Sequence, residues 1–143
     1  MADILQAFPI QATPDAVYQA ISTPAGLDQW WTRTSAGVPE PGQTFRLSFG
    51  PGYDWEAVVT RAEPGVAFEL TLTRADEEWR GTRVGFELDP ADAGTQVRFH
   101  HCGWPEAGEH YRISCYCWAM YLRILKRFVE YGETVDYERR LEV

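Results

Sequence analysis

The chain has 143 residues, 45% hydrophobic and 14% aromatic, with six Trp, seven Tyr and seven Phe. That apolar load excludes a disordered segment and suits one domain with a sizeable core. A formal charge of −8, with Lys126-Arg127 and Arg139-Arg140 as the only basic doublets, argues against nucleic acid or an anionic membrane surface as partner.

Met1-Ala2-Asp3-Ile4 lacks the basic start and apolar run of a secretion signal. No stretch approaches the ~18 uninterrupted apolar residues of a membrane span. Cys102, Cys115 and Cys117 are odd in number, which fits free thiols in a reducing compartment. The expectation is a cytoplasmic protein.

Ile4, Gln6, Phe8 and Ile10 alternate with their neighbours and predict a first strand. Thr13-Pro14-Asp15 then starts a helix, with Thr as N-cap, Pro in the first turn and Asp at the positive end of the dipole. Thr23-Pro24 repeats the signal ahead of Leu27, Trp30 and Trp31, giving two short helices with a bend. After the Pro/Gly-rich stretch Gly37–Gly42 the period changes to two. Phe45, Leu47 and Phe49 mark one strand; Trp55, Ala57 and Val59 the next; Phe68, Leu70 and Leu72 a third. Val84, Phe86 and Leu88, then Val97, Phe99 and His101, complete the series. Each strand shows one face to a core and one to water, as in an antiparallel sheet covered on one side.

Tyr111, Cys115, Trp118, Leu122, Leu125 and Val129 recur at three- and four-residue steps, the mark of one amphipathic helix over Glu109–Tyr131. At ~1.5 Å per residue it runs roughly 33 Å, enough to lie across a small sheet. The predicted class is α+β: a curved antiparallel sheet of about six strands, two short helices and one long C-terminal helix. Residues 1–143 read as a single domain, with 132–143 a charged tail.

In this order of elements the chain resembles the helix-grip fold of the START/Bet v 1-like superfamily, and its motifs are similar to the SRPBCC branch related to the heat-shock protein 90 ATPase activator (AHSA1-like). The likeness rests on Ile10-x-Ala12-x-Pro14-x-x-Val17, Leu27-x-x-Trp30-Trp31, Gly94-Thr95-x-Val97 through His101-x-Gly103-Trp104, and Trp118-x-x-x-Leu122-x-x-Leu125. Val59-x-x-Ala62-Glu63-Pro64 falls where the family ends a strand. The resemblance implies a scaffold that serves hydrophobic-ligand carriers, polyketide cyclases and aromatases, and a co-chaperone domain. A full co-chaperone of the family also carries a separate N-terminal domain for which these residues leave no room.

The candidate site is the space between the long helix and the sheet. Its expected ligand-binding lining is Trp30, Trp31, Phe45, Phe49, Trp55, Phe68, Phe86, Phe99 and His101, with Cys115, Trp118, Tyr121 and Leu122 from the long helix. Apolar walls with a few polar groups describe a small-molecule site, but large rings can also fill such a space themselves. His101 shares its strand face with Val97 and Phe99 and points inward, either to orient a ligand or as a buried histidine satisfied by the backbone or Tyr111. His100 points out.

His100, His101, Cys102, His110, Cys115 and Cys117 do not make a metal site: neighbouring strand residues face opposite ways, and Cys-x-Cys on a helix diverges by ~200°. No nucleophile elbow or phosphate loop is present, and Glu56, Glu69 and Glu87 fall on the outward phase. Trp79 and Trp104 lie in loop or strand-end segments, where they either present a contact surface or cap the mouth of the cavity. The reading is therefore a binder of a small apolar or aromatic molecule, without catalytic residues, metal or cofactor. A chaperone-related interaction module and a small cyclase-type enzyme are the alternatives, and the oligomeric state is left open.

Overall fold

The alternating segments form strands in the computed structural model, which describes residues 1–143. They are β1 (Ala2–Ile10), β2 (Thr34–Ala36), β3 (Thr44–Ser48), β4 (Asp54–Glu63), β5 (Ala67–Arg74), β6 (Arg83–Ala91) and β7 (Gly94–Trp104). All pairings are antiparallel, in the order β1-β7-β6-β5-β4-β3-β2. The seventh strand, β2, is a three-residue edge piece that the hydrophobic pattern does not announce. Register shifts between Glu56 and Ala57 and between Val59 and Arg61 break the β4–β5 ladder, and such bulges bend a sheet.

Two short helices connect β1 to β2. Helix α1 (Pro14–Ser22) has Thr13 as its cap, the hydroxyl accepting from the Ala16 N–H at 3.2 Å. Helix α2 is only Pro24–Leu27, capped by Thr23 in the same way. Trp30 and Trp31, expected inside this second helix, lie just beyond it. Their amides still bond back to the Leu27 carbonyl, so the chain stays in tight turns. The exit is set by Trp30, whose indole N–H donates to the Ala20 carbonyl at 2.9 Å and draws the ring under α1.

Helix α3 (Glu109–Tyr131) has the predicted bounds. Gly132 ends it in a left-handed conformation (φ 69°), its N–H closing on the Phe128 carbonyl. Trp118, Leu122 and Leu125 are buried beneath it. The sheet's two faces follow from register. Ile4, His101, Val84, Leu70 and Val59 line up across β1, β7, β6, β5 and β4 on the covered side, whereas Leu5, His100, Gly85, Glu69 and Arg61 do so on the other.

The tail is ordered against the rest. Tyr137–Glu142 form a 3-10 turn, and Arg140 is buried. No helix is long and apolar enough to cross a membrane.

Candidate functional site

Beneath α3 the aromatic side chains gather in two groups. The larger runs through Trp30, Trp31, Phe49, Trp55, Trp79, Phe86, Phe99, Trp104, Trp118 and Tyr121, with His101 among them. Trp118 is its hub: its ring centroid is 4.6 Å from Phe99, 5.3 Å from Trp31 and 5.9 Å from Trp79. The smaller group is Phe45, Phe68 and Tyr18, packed edge-on at 5.9 and 6.2 Å under α1. Phe45 and Phe68 thus pack in a separate ring group from the other aromatic residues of the expected lining. Leu122 is buried in the common core, and Cys115 and Tyr121 are half-buried on α3.

The rings lie face and edge against one another, so in this conformation the lining itself fills much of the space. An open groove of about 590 Å³ lies over β2, β3 and β4, lined by Arg46, Asp54, Glu56 and Arg74 among others, and it meets the ring cluster at Trp55. Phe49, Trp55 and Tyr121 are the half-buried members of the large group and mark where it meets the surface.

Trp79 and Trp104 are not surface residues. Both are buried: the Asp76 carbonyl accepts from the amides of Trp79 and Arg80 and turns the hairpin tip back onto the sheet, and Trp104 is the last residue of β7. Their rings lie against His101 at 4.4 and 4.7 Å. This overturns the contact-surface reading of the two tryptophans.

His101 is fully buried, with both ring nitrogens used. The Trp118 indole N–H donates to Nδ1 at 3.0 Å. An indole nitrogen only donates, so Nδ1 is the unprotonated nitrogen and Nε2 carries the hydrogen. Nε2–H then donates to the Thr82 hydroxyl at 2.8 Å, which donates onward to the Trp79 carbonyl at 2.5 Å. Burial pushes the imidazole down to about 3, with His100 and His110 adding in the same direction. At neutral pH the ring is uncharged, its one N–H held by Thr82 and its lone pair taken by the Trp118 indole. The buried, satisfied histidine is therefore the correct alternative, but its partners are Thr82 and Trp118. Tyr111 instead donates to the Asp3 carbonyl at 2.7 Å. Thr82, which fixes the imidazole, lies just before β6 and outside the alternating pattern, so periodicity gives no signal for it.

Two other polar atoms in the same cluster have no partner: the indole N–H groups of Trp79 and Trp104 are buried and donate to nothing. At the surface end, burial pushes the Tyr121 hydroxyl up to about 12, with Tyr137 and Cys117 adding and Arg140 opposing. The outward phase of the acids holds. Glu69 accepts from the Thr60 hydroxyl at 2.6 Å and pairs with His100 Nε2 at 2.8 Å on the far face. That hydrogen bond holds Glu69 below the usual carboxylate range, against the opposing effect of its burial.

A long helix gripped by an antiparallel sheet, with an aromatic cluster between them, defines a helix-grip domain of the START/Bet v 1-like class. The family model described as "Activator of Hsp90 ATPase homolog 1-like protein" matches residues 11–130. The chain belongs to that AHSA1 family. Among solved structures it is similar to the Aha1 dimer from Colwellia psychrerythraea, at 30% identity and TM-score 0.84 over 93% of this chain and 99% of that one. A protein from Staphylococcus saprophyticus shares the fold at 19% identity and TM-score 0.79, over 94% and 96%. So does DynU16, a protein of the dynemicin biosynthetic locus, at 19% identity and TM-score 0.76, over 94% of this chain and 50% of that one. A search of curated protein sequences found no match.

Proposed function

We propose that the chain binds a small apolar or aromatic molecule between α3 and the sheet, among Trp31, Phe49, Trp55, Trp118 and Tyr121. The observation that carries this reading is the pair of indole N–H groups, Trp79 and Trp104, buried without an acceptor beside His101. Buried donors are almost always paired, and leaving one unpaired costs about 1–3 kcal/mol. A ligand carbonyl or ether oxygen reaching them would recover that energy, and its ring would bury area against the aromatic faces at about 25 cal/mol per Å². Entry requires Trp31, Phe49 or Tyr121 to turn aside, so binding is accompanied by ring movement at the half-buried end. His101 supplies no proton transfer here; it holds Trp118 and the Trp79–Thr82 turn in place.

An amide-resolved NMR titration with fatty acids, flat polycyclic aromatics and flavonoids tests the proposal. Saturable shifts clustered on Trp31, Phe49, Phe86, His101 and Trp118 support it. Silence across the panel with a folded spectrum counts against it.

The likeness to an Aha1 dimer favours a second reading, in which the domain pairs with a second copy or docks on a chaperone. Sedimentation equilibrium over a hundredfold concentration range tests the first part: a single monomer mass throughout counts against self-pairing.

A further inference from the structure

The tail that follows α3 contains a charge whose placement is unusual. Arg140 is 4% exposed and takes part in no ion pair. Its Nε donates to the Val135 carbonyl at 3.3 Å, Nη1 to the Thr32 carbonyl at 3.1 Å and Nη2 to the Asp28 carbonyl at 2.6 Å. The nearby acids are engaged elsewhere. Asp28 accepts from the hydroxyls of Thr32 and Ser35 at 2.7 and 2.8 Å, and Glu138 pairs with Arg33 at 3.4 Å. Arginine is almost never buried unless paired with a negative charge. Three carbonyl dipoles occupy three of its five N–H donors; Asp28 and Glu138 are near enough to act on its charge, but neither carboxylate contacts the guanidinium.

The position of this cation relates it to the ring cluster. Thr32, which it holds, directly follows Trp31. The neighbouring Tyr137 ring lies 5.2 Å from the guanidinium, and the Tyr137 hydroxyl donates to the Phe49 carbonyl at 3.0 Å. Tyr121, on α3, makes no hydrogen bond to the protein and feels the charge of Arg140. Arg140 therefore lies at the half-buried end of the cluster, beside the rings that must move for a ligand to enter.

We infer that the ligand is an apolar acid, its carboxylate pairing with Arg140 while its ring or chain lies among Trp31, Phe49 and Tyr121. The inference rests on the ligand-binding reading above and names the substrate class that reading leaves open. A planar carboxylate takes two parallel N–H donors from a guanidinium, a match an alcohol or ketone cannot make. The chain's −8 charge repels anions overall, so any preference for an acid over its neutral counterpart must come from a local cation.

The test is calorimetric titration of the full chain with naphthalene-2-carboxylate and with naphthalene-2-methanol, which share a ring system and differ in charge. The expected result is at least tenfold tighter binding of the acid, lost in Arg140→Met. In the unmodified chain the Arg140 Nε–H NMR signal should move with the acid and stay still with the alcohol, which keeps the inference testable if that variant fails to fold. Equal affinities, or tighter acid binding with an unmoved Arg140 signal, would overturn the acid inference and leave the ligand reading intact. Binding of neither compound, with the wider panel also silent, would remove both.

Discussion

His100 and His101 adjoin on β7, yet they face opposite sides of the sheet and do opposite jobs. His101 lies under α3, uncharged, with Trp118 donating to one nitrogen and Thr82 accepting from the other. His100 lies on the uncovered face over Gly85, in a polar row with Glu69 and Thr60. A Cβ built on Gly85 would come within 2.7 Å of the His100 ring, so a side chain there would push the ring from its present place beside Glu69. The same side chain is thus a clasp between helix and sheet on one face and half of a surface pair on the other. Burial decides which: inside, the charged imidazole is excluded, whereas outside a carboxylate is at hand.

The largest test of this contrast is Trp118→Ala. It removes the hub of the ring cluster and the donor to His101 together, and should cost about 3–5 kcal/mol, read from urea midpoints. A loss below ~1 kcal/mol would mean the covered face is not held as described.

Acid gives the next largest effect. Because His101 titrates near 3 when folded and near 6.5 when unfolded, the unfolded chain binds the extra proton first. Its contribution to stability is complete above pH 6.5 and is lost as pH falls from there towards 3. The slope should approach about 1.4 kcal/mol per pH unit. Glu69 acts lower: its lowered pKa makes its contribution fade only below the ordinary carboxylate range, near 4.5. The loss attributed to His101 therefore begins between pH 6.5 and 4.5, and His101→Gln should flatten the slope there.

A pair of conservative changes sharpens the account of the indoles. Trp30→Phe strands the Ala20 carbonyl, whereas Trp104→Phe removes a donor that has no partner. Trp30→Phe should be the costlier by about 1–2 kcal/mol. Smallest is Glu69→Gln on the outer face, about 1 kcal/mol or less by chemical denaturation, since its partners are all partly open to water.

Much of this was readable from the residues. The alternation of Val97, Phe99 and His101 correctly predicted which histidine turns inward, and the three- and four-residue steps from Tyr111 to Val129 gave α3 its bounds. Thr34-Ser35-Ala36 carries no apolar alternation, because β2 is an edge strand whose residues face neither a core nor a partner on both sides. Trp79 follows Asp76-Glu77-Glu78, a run that reads as a solvated tip. Only the turn closing on the Asp76 carbonyl carries the ring inward. Arg140 stands in a charged tail and is buried by carbonyls distant in sequence, which no local pattern encodes.

The central claim is that the unpartnered indole donors beside His101 await a ligand acceptor. The direct measurement is the indole N–H signals of a uniformly 15N-labelled chain during titration with a flavonoid that binds, whose carbonyl and ether oxygens can accept. The account predicts downfield shifts and slowed hydrogen exchange for Trp79 and Trp104, with Trp30, already bonded to Ala20, unmoved. Saturable binding that leaves the Trp79 and Trp104 signals where they were would contradict it.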